Sequence, residues 1–242
     1  MIEIHTELET GEGQMGTFIV HPDEEGPHPV VLFLMDAPGK REEIHDMARR
    51  IATCGYWVIL PNLYYRRVSE FVTDGSPESR KVMFEHMNSL SNEMVVRDCR
   101  VLLEHASQSE AAGKGPAGCV GYCMSGPFAF AAAAQLNERI SASASIHGVR
   151  LCTDAPDSPH LDAEKIRGEI YFGCAETDEW APTEMIESLD RHLSGTGINY
   201  RIEWYPGSHH GFVFPLRAGM YHKPSAERHW FRLLSLFQRN LK

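Results

Sequence analysis

Positive charge is scarce in this sequence and is not concentrated anywhere. The chain has 23 Lys and Arg against 33 Asp and Glu, which gives a formal net charge of -10 at pH 7. A nucleic acid or an anionic membrane surface requires a basic face on its partner. The composition therefore argues against both as partners. We expect a small-molecule substrate, neutral or anionic, bound with the help of local arginines.

Long hydrophobic runs are also missing. The longest mostly apolar run, residues 127–134, is far shorter than the ~20 residues that a membrane-spanning helix needs. Residues 1–16 contain no charged segment followed by an apolar core, so they do not resemble a secretory signal. We therefore expect a soluble, cytoplasmic protein.

Cysteines are few, and their spacing suggests no pairing. None of the six belongs to a CxxC pair, and in a chain without a secretory signal they are expected to be free thiols. The cysteines and histidines also lack the spacing of a zinc site, so we expect no metal. The six cysteines are Cys54, Cys99, Cys119, Cys123, Cys152 and Cys174.

Short apolar runs alternate with segments of helical periodicity along most of the chain. Strands are predicted at 30–35, 56–61, 118–122, 141–146, 168–173 and 198–205, and helices around 44–51, 95–103, 127–137, 185–193 and 230–241. Residues 2–8 and 16–22 are instead typical of an antiparallel hairpin at a sheet edge. Alternating strands and helices require crossover connections. We therefore predict an α/β fold with a mostly parallel sheet, helices on both faces, and one domain over residues 1–242.

Two longer irregular segments, 62–79 and 147–166, follow predicted strands. In open α/β sheets the loops at the carboxyl ends of the strands form the ligand crevice. We therefore expect both segments to form walls of a pocket. His147 is a candidate pocket residue in the second segment, although a loop histidine is as often a surface group.

The stretch GYCMSG, residues 121–126, lies between a predicted strand and a predicted helix. A nucleophile elbow holds its reactive residue in a strained turn at such a junction, with small residues two positions before and after it. Gly121 and Ser125 occupy those positions around Cys123, with Ser where Gly is usual. The helix N-terminus would favour a thiolate there. Taken alone, the stretch is equally compatible with a cysteine that only packs in the core.

The partners of such a nucleophile follow it in the chain, first an acid and then a histidine. Asp178 comes just after the predicted strand 168–173, and His209 and His210 come after the next one. The order Cys123, Asp178, His210 fits the catalytic triad of an α/β-hydrolase. Each member follows a different strand, and this agreement favours a nucleophilic cysteine far more strongly than the elbow alone.

Four stretches resemble the dienelactone hydrolases, also called carboxymethylenebutenolidases. They are LFLMDAPGKREEIHDMARRIATCGYWVILPNLYYR, GYCMSG, GCAETDEWAP and YPGSHHGF, and the resemblance runs along nearly the whole chain. It implies an α/β-hydrolase fold, with Cys123 as the nucleophile, Asp178 as the acid that orients the histidine and His210 as the base. It also implies that Asp36 corresponds to an acidic residue contacting the resting cysteine, and that Ala37 gives a backbone N–H to the oxyanion hole.

Two positions depart from the family pattern. Asp36 stands where the dienelactone-cleaving members carry glutamate, and Phe214 stands where they have an arginine that binds the substrate carboxylate. Arg80 is a candidate for a second such arginine. Asp36 has an alternative role as a cap of the following helix. These departures leave the reaction class unchanged and the identity of the substrate open.

The sequence thus predicts a hydrolase that cleaves a lactone or a small activated ester. His210 would generate the Cys123 thiolate, which attacks the carbonyl and gives a thioester acyl-enzyme. The backbone N–H groups of Met124 and Ala37 would hold the oxyanion. No metal or organic cofactor has a task in this reaction. Tyr64, Trp180 and Phe212 are candidate pocket walls, although aromatic residues more often pack in the core.

Two alternatives remain open. One is a broad-specificity carboxylesterase that uses the same residues. The other is a non-hydrolytic thiol redox sensor on the same fold, in which Cys123 is oxidised reversibly. Cys119, on the strand leading into the elbow, is poorly placed to resolve an oxidised Cys123, which argues against the sensor. The sequence carries no signal for the oligomeric state.

Overall fold

The amino-terminal segments pair as an antiparallel hairpin at one edge of the sheet. The computed structural model describes all 242 residues and places strand β1 at Ile2–Glu9 and strand β2 at Gln14–His21. The turn between them contains Gly11 and Gly13, both with positive φ, a conformation that glycine adopts easily. The predicted hairpin is confirmed.

From β3 onward, strands and helices alternate. The elements are β3 Val30–Leu34, α1 Glu42–Ala52, β4 Trp57–Pro61, α2 Pro77–Asn88, α3 Asn92–Ser107, β5 Ala117–Tyr122, α4 Gly126–Gln135, β6 Ile140–Ile146, β7 Glu169–Thr177, α5 Thr183–Leu193, β8 Asn199–His209 and α6 Lys223–Leu241. The strands form one sheet in the order β1-β2-β4-β3-β5-β6-β7-β8. Strands β3 to β8 run parallel to one another, and β2 pairs antiparallel with both of its neighbours, β1 and β4. The predicted mostly parallel α/β sheet is confirmed.

The core lies around the central strands. Every residue of β3, β4 and β5 is buried, as expected for parallel strands covered on both faces. Helix α4 is buried along its length except for Gln135, and its four consecutive alanines leave room for close neighbours. Helices α1 and α5 bury only one stripe each, which matches the helical periodicity read from the sequence.

Helix α2 is the one α-helix that the sequence did not predict, and a 3-10 helix at Pro159–Lys165 interrupts the segment 147–166 that was predicted as irregular. Helix α2 begins at Pro77, where the Ser76 side chain accepts a hydrogen bond from the Ser79 N–H. Only Met83 and His86 of this helix are buried, so it lacks the continuous apolar stripe that reveals a helix in a sequence. The prediction of an irregular segment at 62–79 is therefore wrong for residues 77–79.

None of the six helices combines the length and the hydrophobicity that a membrane span needs.

The carboxyl ends of five strands meet at one edge of the sheet. The registers pair Leu34 with Gly121, Tyr122 with Ile146, and Thr177 with His209. Because parallel neighbours end side by side, the residues that follow these positions gather in one place. They are Met35 to Ala37, Cys123, His147, Asp178 and His210.

Candidate active site

Cys123 occupies a strained turn between β5 and α4. Its φ of 54° lies in the left-handed region, which a residue with a side chain rarely adopts. The turn needs glycine at position 121, because a Cβ atom there would lie 2.0 Å from the Ser125 carbonyl oxygen. A Cβ atom on Gly126 would lie 2.4 Å from the Gly148 Cα atom. The local sequence therefore permits the sharp turn that holds the thiol, which is partly exposed, out of the core.

Ser125 replaces the usual glycine two positions after the cysteine and makes a contact that glycine cannot make. It is fully buried, and its hydroxyl donates a hydrogen bond of 2.5 Å to the carbonyl oxygen of Met35. This bond ties the elbow to the segment that follows β3. Ser125 is consequently committed to a structural hydrogen bond.

Asp178 and His210 meet because their strands end in register. Thr177 of β7 pairs with His209 of β8, and each is followed directly by a site residue. The Asp178 Oδ2 atom lies 2.7 Å from His210 Nδ1, and the carboxylate is 1% exposed. Such a contact fixes the ring with its Nδ1 protonated and leaves Nε2 free for chemistry.

The environment of His210 favours its protonated form. Burial disfavours the charge, but the hydrogen bond with Asp178 and the interaction with Cys123 outweigh it and raise the pKa of His210 to about 10. Both His210 and Cys123 line the same cavity. The His210 Nε2 atom is buried and has no hydrogen bond of good geometry within the protein. The arrangement can move a proton between the His210 ring and a group bound in the cavity.

Ala37 lies next to the elbow with its backbone N–H unused. No backbone or side-chain acceptor within the protein bonds to this N–H group, whereas the Ala37 carbonyl accepts a hydrogen bond of 2.8 Å from the Tyr64 hydroxyl. The same hydroxyl lies 3.2 Å from the Sδ atom of Met124. Burial raises the pKa of Tyr64 well above its usual value, so this residue remains a neutral donor. Tyr64 thereby bridges the two residues predicted to form the oxyanion hole.

Asp36 is fully buried and is bound by two arginines. Its carboxylate accepts hydrogen bonds from Arg41, which also pairs with Glu43, and from Arg217 on the loop after β8. It makes no hydrogen bond with Cys123. It also does not cap α1, whose first turn lacks a side-chain cap. The contact that the resemblance implied for Asp36 is thus replaced by ion pairs.

A cavity of about 900 Å³ opens over Cys123 and His210. Its walls include Arg80, Phe84 and Met87 of α2, Val149 and Arg150 after β6, Trp180 after β7, and Arg217 and Met220 after β8. The indole ring of Trp180 lies 5.7 Å from the ring of Phe84. A second groove, of about 1000 Å³, runs along α2 but does not reach Cys123.

Three of the residues predicted to line the pocket stand behind the cavity rather than in its wall. Tyr64, His147 and Phe212 are each no more than 1% exposed, and none of them borders the cavity. Of the predicted pocket residues outside the triad, Arg80 and Trp180 do border it. The other three residues pack behind the reactive residues and do not border the space that a ligand would fill.

Sequence reasoning missed two arginines of the site. Arg217 follows the histidine loop, and its guanidinium lies 4.4 Å from the ring centre of Phe214. Arg150 has a φ of 53° and donates a hydrogen bond of 3.0 Å to Asn88. The only sequence signal for Arg150 was its place in segment 147–166, which was predicted to form a pocket wall. No set of three or more histidine, cysteine or acidic side chains is arranged to hold a metal ion.

A family model and curated relatives indicate one family, and solved structures share its fold. The model of the dienelactone hydrolase family matches residues 15–241. A protein of Synechocystis sp. named "Putative carboxymethylenebutenolidase" is 27% identical over 234 residues, which cover 95% of this chain and 93% of that protein. A structure from Klebsiella pneumoniae named "Putative Dienelactone Hydrolase" has a TM-score of 0.87 at 23% identity, with 98% of each chain covered. A dienelactone hydrolase-like promiscuous phosphotriesterase from metagenomic libraries has a TM-score of 0.82 at 15% identity, covering 100% of this chain and 99% of that one.

Proposed function

Because the chain belongs to the dienelactone hydrolase family and is thus a hydrolase of lactones or carboxylic esters, we propose that it acts through a triad of Cys123, His210 and Asp178. The observation that carries the proposal is the position of His210. One ring nitrogen bonds to a buried carboxylate, and the ring shares a cavity with a cysteine held in a strained elbow. A residue that only packs would need neither partner.

In the first half of the reaction, the Cys123 thiolate attacks the substrate carbonyl and forms an Sγ–C bond. The carbonyl oxygen becomes an oxyanion, held by the N–H groups of Ala37 and Met124, each such donor contributing on the order of 10²-fold in rate. When the oxyanion collapses, the C–O bond to the leaving group breaks. The leaving oxygen takes the proton of the His210 imidazolium, and a thioester acyl-enzyme remains.

In the second half, neutral His210 takes a proton from a water molecule as that water attacks the thioester. The Sγ–C bond then breaks, the acid is released and the thiolate–imidazolium pair is restored. Asp178 keeps Nδ1 protonated and stabilises the imidazolium without taking its proton. In a lactone, the acid and the alcohol remain parts of one product because the ester bond lies in a ring.

We also infer that residues 1–242 act as one domain and that the substrate is a small molecule. All site loops come from one edge of one sheet, and the cavity of about 900 Å³ is in the usual range for small-molecule sites. A broad-specificity carboxylesterase is the alternative within the same chemistry. Nothing in the geometry favours the redox sensor, because Cys119 is fully buried in β5, where burial raises the pKa of its thiol.

The test is the hydrolysis of p-nitrophenyl acetate and of a panel of small lactones, including a dienelactone, by wild type, Cys123→Ala, Cys123→Ser and Ser125→Ala. We expect Cys123→Ala to abolish hydrolysis and Ser125→Ala to retain it. A preference for lactones over esters would separate the lactonase from the broad carboxylesterase. Full activity of Cys123→Ala on every substrate would refute the mechanism, and a reducible disulfide formed with hydrogen peroxide would support the sensor.

A further inference from the structure

A smaller hollow, the side pocket, adjoins the cavity over Cys123. The side pocket has a volume of about 170 Å³. Met87, Val149 and Arg150 line both the side pocket and the cavity, so the two spaces meet at these three residues. The guanidinium of Arg150 donates a hydrogen bond to Asn88 of α2, so its charged end has a partner within the protein. The reaction proposed above gives the side pocket no role.

The inner wall of the side pocket is formed by the elbow and the helix that follows it. Met124, directly after the nucleophile, and Pro127 and Phe128 in the first turn of α4 line the side pocket, and all three are buried. The Val149 N–H donates a hydrogen bond of 3.2 Å to the Cys123 carbonyl, which holds the junction of the two spaces against the elbow. The apolar wall of the side pocket therefore starts at the residue next to the reactive thiol.

Polar groups in the outer wall of the side pocket bond to one another or are exposed. The Asn92 amide donates a hydrogen bond of 2.7 Å to the Asp157 carbonyl, and the Ser158 hydroxyl accepts one of 3.0 Å from the Thr153 N–H. The Asp157 side chain is exposed. An apolar group in the side pocket would leave none of these hydrogen bonds broken. A volume of about 170 Å³ has room for about five methylene groups, if each takes the ~30 Å³ of a liquid water molecule.

The position of His210 decides which part of an ester faces the side pocket. In the proposed reaction the leaving oxygen takes its proton from His210, so the alcohol part of the ester lies toward the loops after β7 and β8. No residue of those two loops lines the side pocket. The acyl part, which stays on Cys123 after the alcohol leaves, is therefore the part directed toward the side pocket.

We propose that the side pocket is an acyl-binding site, which takes an unbranched, uncharged acyl chain of about four to six carbons from an open-chain carboxylic ester. The inference rests on the proposed function, because it requires an acyl group on Cys123 and a leaving group at His210. The chain passes from the thiol between Met87 and Val149 into the side pocket. The length of the acyl chain then contributes to the choice of substrate.

The test fills the side pocket from the loop that lines its outer wall. Thr153→Trp and Ala155→Trp introduce an indole ring at two positions that line the side pocket but not the cavity over Cys123. Asp154→Trp is the matched control, because Asp154 lies between them in the chain, is exposed and lines neither space. Circular dichroism and thermal melting establish which variants fold.

Two series of esters are compared by kcat/KM. The first changes only the acyl chain (p-nitrophenyl acetate, butanoate and hexanoate), and the second changes only the alcohol (ethyl, butyl and hexyl acetate). Wild-type kcat/KM should rise at least about tenfold from p-nitrophenyl acetate to hexanoate, since each methylene group moved from water to an apolar site adds about fourfold.

The variants should change the response to acyl length alone. In Thr153→Trp, Ala155→Trp or both, the ratio of kcat/KM for hexanoate to that for acetate should fall by about tenfold or more, because the indole occupies the space of the chain. In Asp154→Trp this ratio should equal that of wild type. The ratio of hexyl acetate to ethyl acetate should be the same in all four proteins.

A wild-type kcat/KM that does not rise with acyl length would overturn the inference, as would an unchanged hexanoate-to-acetate ratio in the folded Thr153→Trp and Ala155→Trp proteins. An equal loss in Asp154→Trp, or a loss confined to hexyl acetate, would also overturn it, because the acyl chain would then not occupy the side pocket. Failure of the proposed function is recognised separately. If Cys123→Ala still hydrolyses p-nitrophenyl acetate at the wild-type rate, that function is wrong, whatever the chain-length ratios are.

Discussion

The two carboxylate oxygens of Asp178 have different partners, and only one of them faces His210. Oδ2 lies 2.7 Å from His210 Nδ1, while Oδ1 accepts hydrogen bonds of 2.9 and 3.0 Å from the backbone N–H groups of Trp180 and Ala181. The loop and the histidine are therefore held by the same side chain. A substitution can therefore keep the hydrogen bonds to the loop and still change which nitrogen of His210 carries the proton.

Asp178→Asn is that substitution. The amide oxygen can continue to accept from the loop, whereas the amide NH2 then faces Nδ1 and forces the wrong tautomer of His210. We expect kcat for ester hydrolysis to fall on the order of 10³- to 10⁴-fold, with a melting temperature close to that of wild type. Asp178→Ala, which also releases the loop, should lose both activity and stability. A kcat within threefold of wild type in Asp178→Asn would remove Asp178 from the triad.

The pH dependence of the free enzyme follows from the raised pKa of His210. The ring is protonated below its pKa, which is raised from 6.5 to about 10, and acylation needs that proton for the leaving group. We therefore expect kcat/KM to hold its value from neutral pH upward and to fall only as the pH approaches 10. Asp178→Asn removes one of the two partners that raise the pKa, so its alkaline limb should lie at lower pH. A wild-type limb near 7 would contradict the thiolate–imidazolium pair.

Tyr64→Phe tests the bridge between the proposed oxyanion donors. It removes the hydroxyl that bonds to the Ala37 carbonyl, which should loosen the peptide that carries the neighbouring N–H. We expect kcat to fall by about 10-fold with little change in KM, and the free energy of unfolding to fall by about 1–3 kcal/mol. Tyr65→Phe is the control, because its hydroxyl bonds to Asp98 instead. It should lose stability and keep kcat.

Gly121→Ala tests the geometry of the elbow. The added methyl group would lie 2.0 Å from the Ser125 carbonyl oxygen and 2.5 Å from its carbonyl carbon, so backbone atoms would have to move to make room for it. We expect a protein that does not fold stably, as judged by circular dichroism and thermal melting. Gly115→Ala, where a methyl group meets no atom within 4 Å, should fold normally. A normal melting temperature for Gly121→Ala would contradict the described turn.

Local patterns in the sequence were sufficient for much of this architecture. Continuous apolar runs revealed β3, β4 and β5, and the small residues around Cys123 revealed the elbow, because both depend on neighbours in the chain. Helix α2 escaped detection because a helix that buries only Met83 and His86 leaves no apolar stripe.

Contacts between distant residues were beyond such reasoning. Arg217 and Asp36 are 181 positions apart, and no spacing rule connects them. His147 looked like an ordinary loop histidine, and its burial depends on aromatic rings contributed by two other parts of the chain, Tyr122 before it and Phe212 and Phe214 after it. The members of the proposed triad could be found because each one directly follows a predicted strand, in the chain order nucleophile, acid, histidine. The residues that support them have no such fixed place relative to the strands.

Asp36 provides the last prediction, because its carboxylate is buried and is balanced by the charges of two arginines. Its carboxylate is 0% exposed and neutralises Arg41 and Arg217, and Arg217 has no other carboxylate partner. Asp36→Asn should therefore lower the free energy of unfolding by about 3–5 kcal/mol, because it leaves guanidinium charge unpaired. Asp36→Glu keeps the charge but adds a methylene group to a filled site, and should cost about 1–3 kcal/mol. It should also lower kcat, because the adjacent Ala37 N–H would move.

Urea unfolding measures both losses of stability. Asp46→Asn, at an exposed pair with Arg49, is the control, with an expected change of about 0–1 kcal/mol. If Asp36→Asn is no less stable than this control, the two ion pairs do not hold the segment after β3, and the position of Ala37 must be determined by the Tyr64 hydrogen bond alone.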